Sequence, residues 1–320
     1  MALYNGFISQ SYTSQSPLAS QDRTVNWYPE RIENEAGSTN IALYPTPGVT
    51  SRATGLVGGA GRAHVFVDGR QFCIIGATLY EVSSLFVMTN RGTVATDSNP
   101  ATISYNGDSG GELFITSGTN GYLYTLATDV LAAIANLAGK ATMGDQLDSY
   151  FLALDAATGT VYLSDSNDGA TWDPTQTIAR SIESDAWVSM KTANRYIYLF
   201  GSKTSEVWFD AGSSPIVFEP HPSGLIQFGC SAAFSTKVVG NSIVWLGSTA
   251  NGVGVVLRTS GFVPEEVSNF ATHWAFENYT SVSDAIGDTY EALGHQFYIL
   301  TFQAAKATWV WDAKMNMWHE

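Results

Sequence analysis

A β-propeller of about six or seven blades, all-β and preceded by an extended N-terminal arm, is the fold class that this 320-residue sequence predicts. Three observations point to it. The chain combines 30 Gly with 9 Trp, 15 Tyr and 16 Phe; aromatic side chains suit the pleated, half-buried surface of a strand, and Gly serves the turns between strands. A two-strand unit recurs: a short apolar strand, a tight polar turn, a second strand. Measured from Cys73, Leu113, Phe151, Tyr198, Val244 and Tyr298, its intervals are 40, 38, 47, 46 and 54 residues, near the repeat of about 40–50 residues of propeller blades.

Residues 1–50 come first and depart from the repeat. They are polar and end in "YPTPGV", where Pro45 and Pro47 fix extended backbone and remove two donors. The stretch reads as an arm or strap, too polar to bury a core of its own. Its expected anchors are Trp27, Tyr28, Ile32 and Leu43, buried by neighbouring blades or by another chain. Residues 51–320 are read as the propeller. The first strands of its units are Phe72–Ile75, Leu113–Thr116, Phe151–Leu154, Tyr198–Gly201, Val244–Gly247 and Tyr298–Thr301. They are nearly continuous apolar runs, as expected of strands covered on both faces. Second strands follow at Thr78–Val82, Gly121–Leu126, Thr160–Ser164, Glu206–Asp210, Gly254–Arg258 and Thr308–Asp312. One segment suggests a short helix, "TDVLAAIANLAGK": Asp129 as cap, Val130, Leu131, Ile134 and Leu137 near one face, Gly139 at its end.

Composition limits the function. Hydrophobic residues make up 45% and charged residues 14%, apolar enough to fold and too poor in charge for disorder. The net charge is −14 and the Lys and Arg are scattered. Tight nucleic-acid binding needs basic side chains to displace counterions from phosphate, so sequence-specific nucleic-acid binding is not expected. The acid serves solubility, or lines a conduit that repels DNA. Cys73 and Cys230 lie in apolar strand-like runs, which suits buried free thiols; sequence leaves a disulfide between them open. The N-terminus lacks the basic and apolar regions of a signal peptide, and no apolar run approaches a membrane span, so no membrane anchor is expected.

Chemical motifs are weak. "SNDGATW", Ser166–Trp172, is similar to the Asp-box of sialidase and other propeller blades, one residue shorter. Asp168 can accept backbone N–H groups inside the turn, Gly169 can take a positive φ, and Trp172 can pack underneath, which reads as a structural turn. The sialidase reading would need an arginine cluster and a tyrosine–glutamate pair, and neither is recognisable. Asp165, Asn167 and Asp168 do not follow the calcium-loop order, since position twelve is Gln176. His64, His221, His273, His295 and His319 show no metal-ligand spacing. "GLVGGAGRA" lacks both the dinucleotide pattern and a phosphate-loop lysine. No catalytic residue, cofactor or metal is therefore expected.

Several segments in collinear order resemble a known family. They are "VNWYPERIEN" (Val25–Asn34), "YPTPGV" (Tyr44–Val49), "YLSDSNDGATWD" (Tyr162–Asp173), "YLFGSKTSEVWFDAG" (Tyr198–Gly212), "GCSAAFS" (Gly229–Ser235), "VWLGSTANGVGVVLRTSGFVPEEVSN" (Val244–Asn269) and the stretch Ser283–Glu320 ending "TWVWDAKMNMWHE". Together they are similar to the packaged-DNA stabilisation, or tail hub, family of short-tailed (podovirus-type) bacteriophages. Val267-Ser268-Asn269 departs from an "IST"-like stretch of that pattern. The resemblance also implies at least one more blade past Glu320, which leaves closure of the propeller within 51–320 open.

The resemblance implies a structural virion protein and no enzyme. Such a protein is a tail hub or nozzle below the portal and the head-to-tail adaptor, extending the tail tube and retaining packaged DNA. Its implied partners are copies of itself in a ring, a hexamer in the family, with the adaptor, a tail needle or plug, and a tailspike or fibre. Its place would be the virion tail, after assembly in the host cytoplasm. The alternative is a phage receptor- or glycan-binding propeller, or a glycan hydrolase, which would show aromatic platforms beside paired carboxylates at glycosidase spacing.

Overall fold

The computed structural model describes residues 9–13, 15–16, 18, 20–32, 40–52, 59–180, 182–214, 216–248 and 254–320. Residues 55–58 of the glycine-rich stretch noted above lie outside them. Strand accounts for 57% and helix for 4%, so the all-β expectation holds and the fold is a β-propeller.

From residue 61 onward, six antiparallel sheets of four or five strands follow one another, and in all but the fifth the strands pair strictly in sequence order. The first is Gly61–Val67, Arg70–Ile75, Thr78–Val82 and Met88–Thr93; the second Thr102–Tyr105, Glu112–Ser117, Asn120–Thr125 and Val130–Ala133. The third is Met143–Leu147, Tyr150–Asp155, Thr160–Asp165 and Asp168–Ala179; the fourth Trp187–Ala193, Tyr196–Gly201, Ser205–Asp210 and Phe218–Ile226. The fifth splits its first strand into Gly229–Cys230 and Lys237–Val239, then adds Ser242–Ser248, Gly254–Ser260 and Val263–Glu266. The sixth is Ala285–Ala292, His295–Phe302, Ala307–Asp312 and Met317–His319. A four-stranded meander of this kind is a propeller blade.

The apolar repeat thus marks the second and third strands of each blade, not its first two. The second strands Glu112–Ser117, Tyr150–Asp155 and Tyr196–Gly201 are buried along their length after the first residue. Neighbours cover both their faces, so no polar alternation is required. First and fourth strands are more polar. Val130–Ala133 and Val263–Glu266 are largely exposed and leave little periodic signal.

The chain divides into two compact units. Residues 50–227 hold the first four sheets. Within this unit the first strands of successive sheets are neighbours, Gly61–Val67 beside Thr102–Tyr105, then Met143–Leu147, then Trp187–Ala193. Leu113, Ile115 and Tyr124 pack on Phe72 and Ile74 between the first two sheets, and Phe114 on Phe151 and Trp172 between the second and third. Residues 1–49 and 228–320 form the other unit, with the fifth and sixth sheets around Val244, Leu246, Tyr298, Leu300, Trp309, Trp311 and Trp318.

The expected helix at 129–139 is corrected. Residues 130–133 form the fourth strand of the second sheet, pairing Thr125↔Val130 to Tyr122↔Ala133, and only a 3-10 turn follows at Ala135–Leu137. Asp129 is not a helix cap: its φ is +56°, and its carboxylate accepts from Arg70 and from the Tyr124 hydroxyl. Pairing with an already ordered strand outweighs a short, weakly amphipathic helix. The α-helix among the described residues is instead α1, Phe270–Glu277. Asn269 Oδ1 accepts from the Thr272 N–H (3.0 Å), and Thr272 Oγ1 accepts from the Asn269 N–H (2.9 Å), a reciprocal cap.

The arm, like the blades, is built from strands. Its described part forms two hairpins, Tyr12–Thr13 with Gln21–Asp22 and Trp27–Ile32 with Asn40–Pro45. Both cysteines are free; Cys230 is buried, and Cys73, expected to be buried, is half-exposed.

Candidate functional site

Polar side chains concentrate in three kinds of place. The turn at 165–172 is one. Asp168 Oδ1 accepts the Ala170 N–H (2.9 Å) and Oδ2 accepts the Thr171 hydroxyl (2.8 Å). Those bonds, Thr171's first, hold the Asp168 carboxyl below the usual carboxylate range. The Trp172 indole N–H donates to the Gly169 carbonyl (2.7 Å), and its ring lies 5.2 Å from that of Phe114. Gly169 does not take a positive φ; Asn167 does, at +57°. Glycine is needed at 169 for space, because a Cβ there would lie 2.4 Å from Leu123 Cδ1 and 2.7 Å from Phe151 Cε2. The Gly169 N–H donates to Glu112 Oε2 of the second sheet (2.8 Å), so the turn ties two blades together.

Similar ties recur through this unit. Arg62 of the first sheet donates to Ser117 Oγ of the second (2.7 Å). Arg70 bridges Glu81 on its own sheet to Asp129 and the Leu126 carbonyl on the second. Burial first, then the bond to Asp129, pushes the Tyr124 phenol beside it up to about 12. The Gly144 N–H of the third sheet donates to Thr102 Oγ1 of the second (2.9 Å), and Lys191 and the Thr192 N–H of the fourth reach Asp145 of the third (2.6 and 2.9 Å).

The other concentration is where the arm meets the sixth sheet. The Ser11 N–H donates to the Trp318 carbonyl (2.8 Å), the Glu320 N–H to the Thr24 carbonyl (2.8 Å), and the Asn26 N–H to the Glu320 carbonyl (2.7 Å). The arm thereby extends hydrogen bonding beyond the outer strand Met317–His319, and Arg23 pairs with Glu320. Tyr28 is buried against Phe297 (5.1 Å between centroids) and His295 (5.0 Å). Glu30 meets His295 Nε2 and Lys314 Nζ, while His295 Nδ1 meets Asp312 Oδ2 at 2.6 Å. His319 is fully buried below Tyr28, neither ring nitrogen has a partner, and burial pushes its imidazole down to about 4.

Of the expected anchors, Tyr28 alone is buried. Leu43 is half-buried, and Trp27 and Ile32 lie at the surface, 45% and 41% exposed. Sequence reasoning found only that His295 and His319 lack metal-ligand spacing, because Glu30 and Tyr28, which meet His295, are distant in the chain and the burial of His319 comes from the fold. Among the described residues, no group of three His, Cys, Asp or Glu could hold a metal ion.

Comparison with known proteins gives the family. The model described as "Bacteriophage P22 Gp10, beta-propeller" (Phage_stabilise) matches residues 20–319. No curated protein matches the chain. Among solved structures, the extracellular domain of a putative hybrid two component system, BT4673 from B. thetaiotaomicron, is similar with a TM-score of 0.50 at 10% identity. It covers 90% of this chain and 38% of its own length, and it shows the fold alone. PorZ, a surface component of the type-IX secretion system of Porphyromonas gingivalis, gives 0.46 at 14% identity over 80% of this chain. The chain spans a third of that protein, 33%.

Proposed function

Because the chain belongs to the phage-stabilisation family described by the β-propeller Gp10 of bacteriophage P22, and is thus a phage structural protein, we propose that it is a tail hub or nozzle component. In this reading it sits below the portal and adaptor, assembles as a ring of copies, extends the tail tube and retains packaged DNA. The observation that carries the reading is the family match across residues 20–319. The ties between blades support it, since a closure that resists internal pressure needs rigidity and large interfaces rather than chemistry. The acidic balance of −14 suits a wall past which DNA slides without being gripped. The role is mechanical and non-enzymatic, and the partners are the adaptor, a needle or plug, and a tailspike or fibre.

A phage lacking this gene tests the proposal. Heads are expected to fill and then empty, releasing DNA that added nuclease digests. Mutant heads that stay full, on particles that fail only to adsorb, would overturn the hub reading in favour of receptor binding.

A further inference from the structure

One exposed element serves neither the fold nor solubility. The third and fourth strands of the first sheet are joined by a tip that presents Leu85, Phe86 and Val87 to solvent, 82%, 44% and 61% exposed. The tip is rigidly built. Ser83 N–H and Val87 C=O pair (2.9 Å), the Phe86 N–H donates to the Ser83 carbonyl (2.8 Å), and the Val87 N–H donates to Ser83 Oγ (3.1 Å). Phe86 holds a φ of +61°, left-handed backbone that a bulky residue adopts only under strain. Gly or Asn would make this turn without strain, and polar residues would make it without exposed apolar surface. The arrangement therefore favours something outside the folded chain.

The same unit carries a matching receptor. An open pocket of about 480 Å³ between the third and fourth sheets is lined by Ile178, Trp208, Ile216 and Phe218, with Ser214 and the exposed Glu219. Both surfaces are apolar, and each carries one charge. The exposed guanidinium of Arg52 lies 5.2 Å above the Phe86 ring, so the tip is an apolar knob with a cation and the pocket an apolar cup with a carboxylate.

We propose that the Leu85–Val87 tip of one copy inserts into the 178/208/216/218 pocket of the next, with Arg52 placed against Glu219. This rests on the reading that several copies assemble. Knob and pocket are different patches, so the contact is head-to-tail, the kind that closes into a ring when the rotation fits. In a chain of charge −14, such a paired cation also offsets repulsion between copies.

The test uses the full recombinant chain. With Phe86→Cys and Ser214→Cys together, mild oxidation is expected to give a ladder of covalent multimers on a non-reducing gel, and neither single variant should. Arg52→Glu and Glu219→Arg should each weaken self-association several-fold by sedimentation, and Phe86→Glu by about tenfold or more. The double charge reversal in one chain should restore it, because each contact then again joins opposite charges. Multimers that form without the crosslink, and that ignore all three substitutions, would overturn the knob-and-pocket contact while leaving the ring intact. A chain monomeric at every concentration, with no crosslink, would overturn the self-assembly reading and this contact with it.

Discussion

His319 should make the protein acid-labile, and one substitution should remove much of that lability. The ring is fully buried with both nitrogens unpartnered, so its neutral form already leaves polar atoms unsatisfied and its charged form is worse. Burial takes its pKa from 6.5 to about 4. The unfolded chain therefore takes up this proton near pH 6.5, whereas the folded chain resists until about pH 4. The stability at stake is complete above the upper value, falls through the window, and is gone below the lower one. At about 1.36 kcal/mol per pKa unit, the loss across the window is roughly 3 kcal/mol. His319→Leu keeps similar bulk, forfeits no hydrogen bond and cannot charge. It should be neutral or stabilising at neutral pH, where it removes two buried unsatisfied atoms, a relief of roughly 1–3 kcal/mol against any packing loss. Denaturant midpoints measured from neutral pH down to about pH 4.5 for both chains decide the matter. The native chain should lose about 2–3 kcal/mol more than the variant. Parallel curves, or a variant destabilised at neutral pH, would refute the argument and imply a hidden partner for the imidazole.

The turn at 165–172 should govern stability. Asp168→Ala should cost about 1–2 kcal/mol as a lost turn cap, and Trp172→Ala about 3–5 kcal/mol as a vacated core site, both read by denaturation. Gly169→Ala should cost about 1–3 kcal/mol by overpacking against Leu123 and Phe151, although its backbone is unstrained, and a thermal scan showing no loss would contradict the close approach. Deleting residues 1–46 should uncover Phe297 and His319 and leave the edge of Met317–His319 unpaired. We expect raised binding of a hydrophobic dye and protease sensitivity confined to residues 228–320, and an unchanged dye signal would show that the arm clasp contributes little.

What the sequence made legible was what burial on both faces imposes. Phe151–Leu154 and Tyr198–Gly201 read as strands because sheets cover them from both sides, and the spacing of such runs predicted about six or seven blades. Val130–Ala133 misled because an edge strand of Val, Leu and Ala carries no strong period, and nearby Asp and Gly imitate helix ends. The turn Ser166–Trp172 was visible as a motif, since its partners lie within a few residues. The reason for Gly169 was not, because Leu123 and Phe151 come from elsewhere in the chain. The arm shows the same limit: Tyr28 stood out as an aromatic in a polar stretch, yet only the fold reveals that Phe297 and His295 receive it, some 270 residues away.

Where the charges are spent bears on what the protein is for. A surface ion pair contributes roughly 0–1 kcal/mol, too little to select a scarce arginine. Yet Arg62 has a side chain only 6% exposed and Arg180 one 9% exposed, the latter meeting Asp185 and the fully buried Glu206. Arg70 and Lys191 likewise join one blade to the next rather than gather at a surface cleft. Removing one partner of such a pair leaves an uncompensated charge and costs far more than the pair itself contributes, so these contacts resist the sliding of one blade past another. Apolar packing alone is non-directional and tolerates small slips, whereas directed charge-assisted hydrogen bonds from an arginine to the next sheet fix register. That property is what the proposed tail role, holding shape under internal pressure, would require.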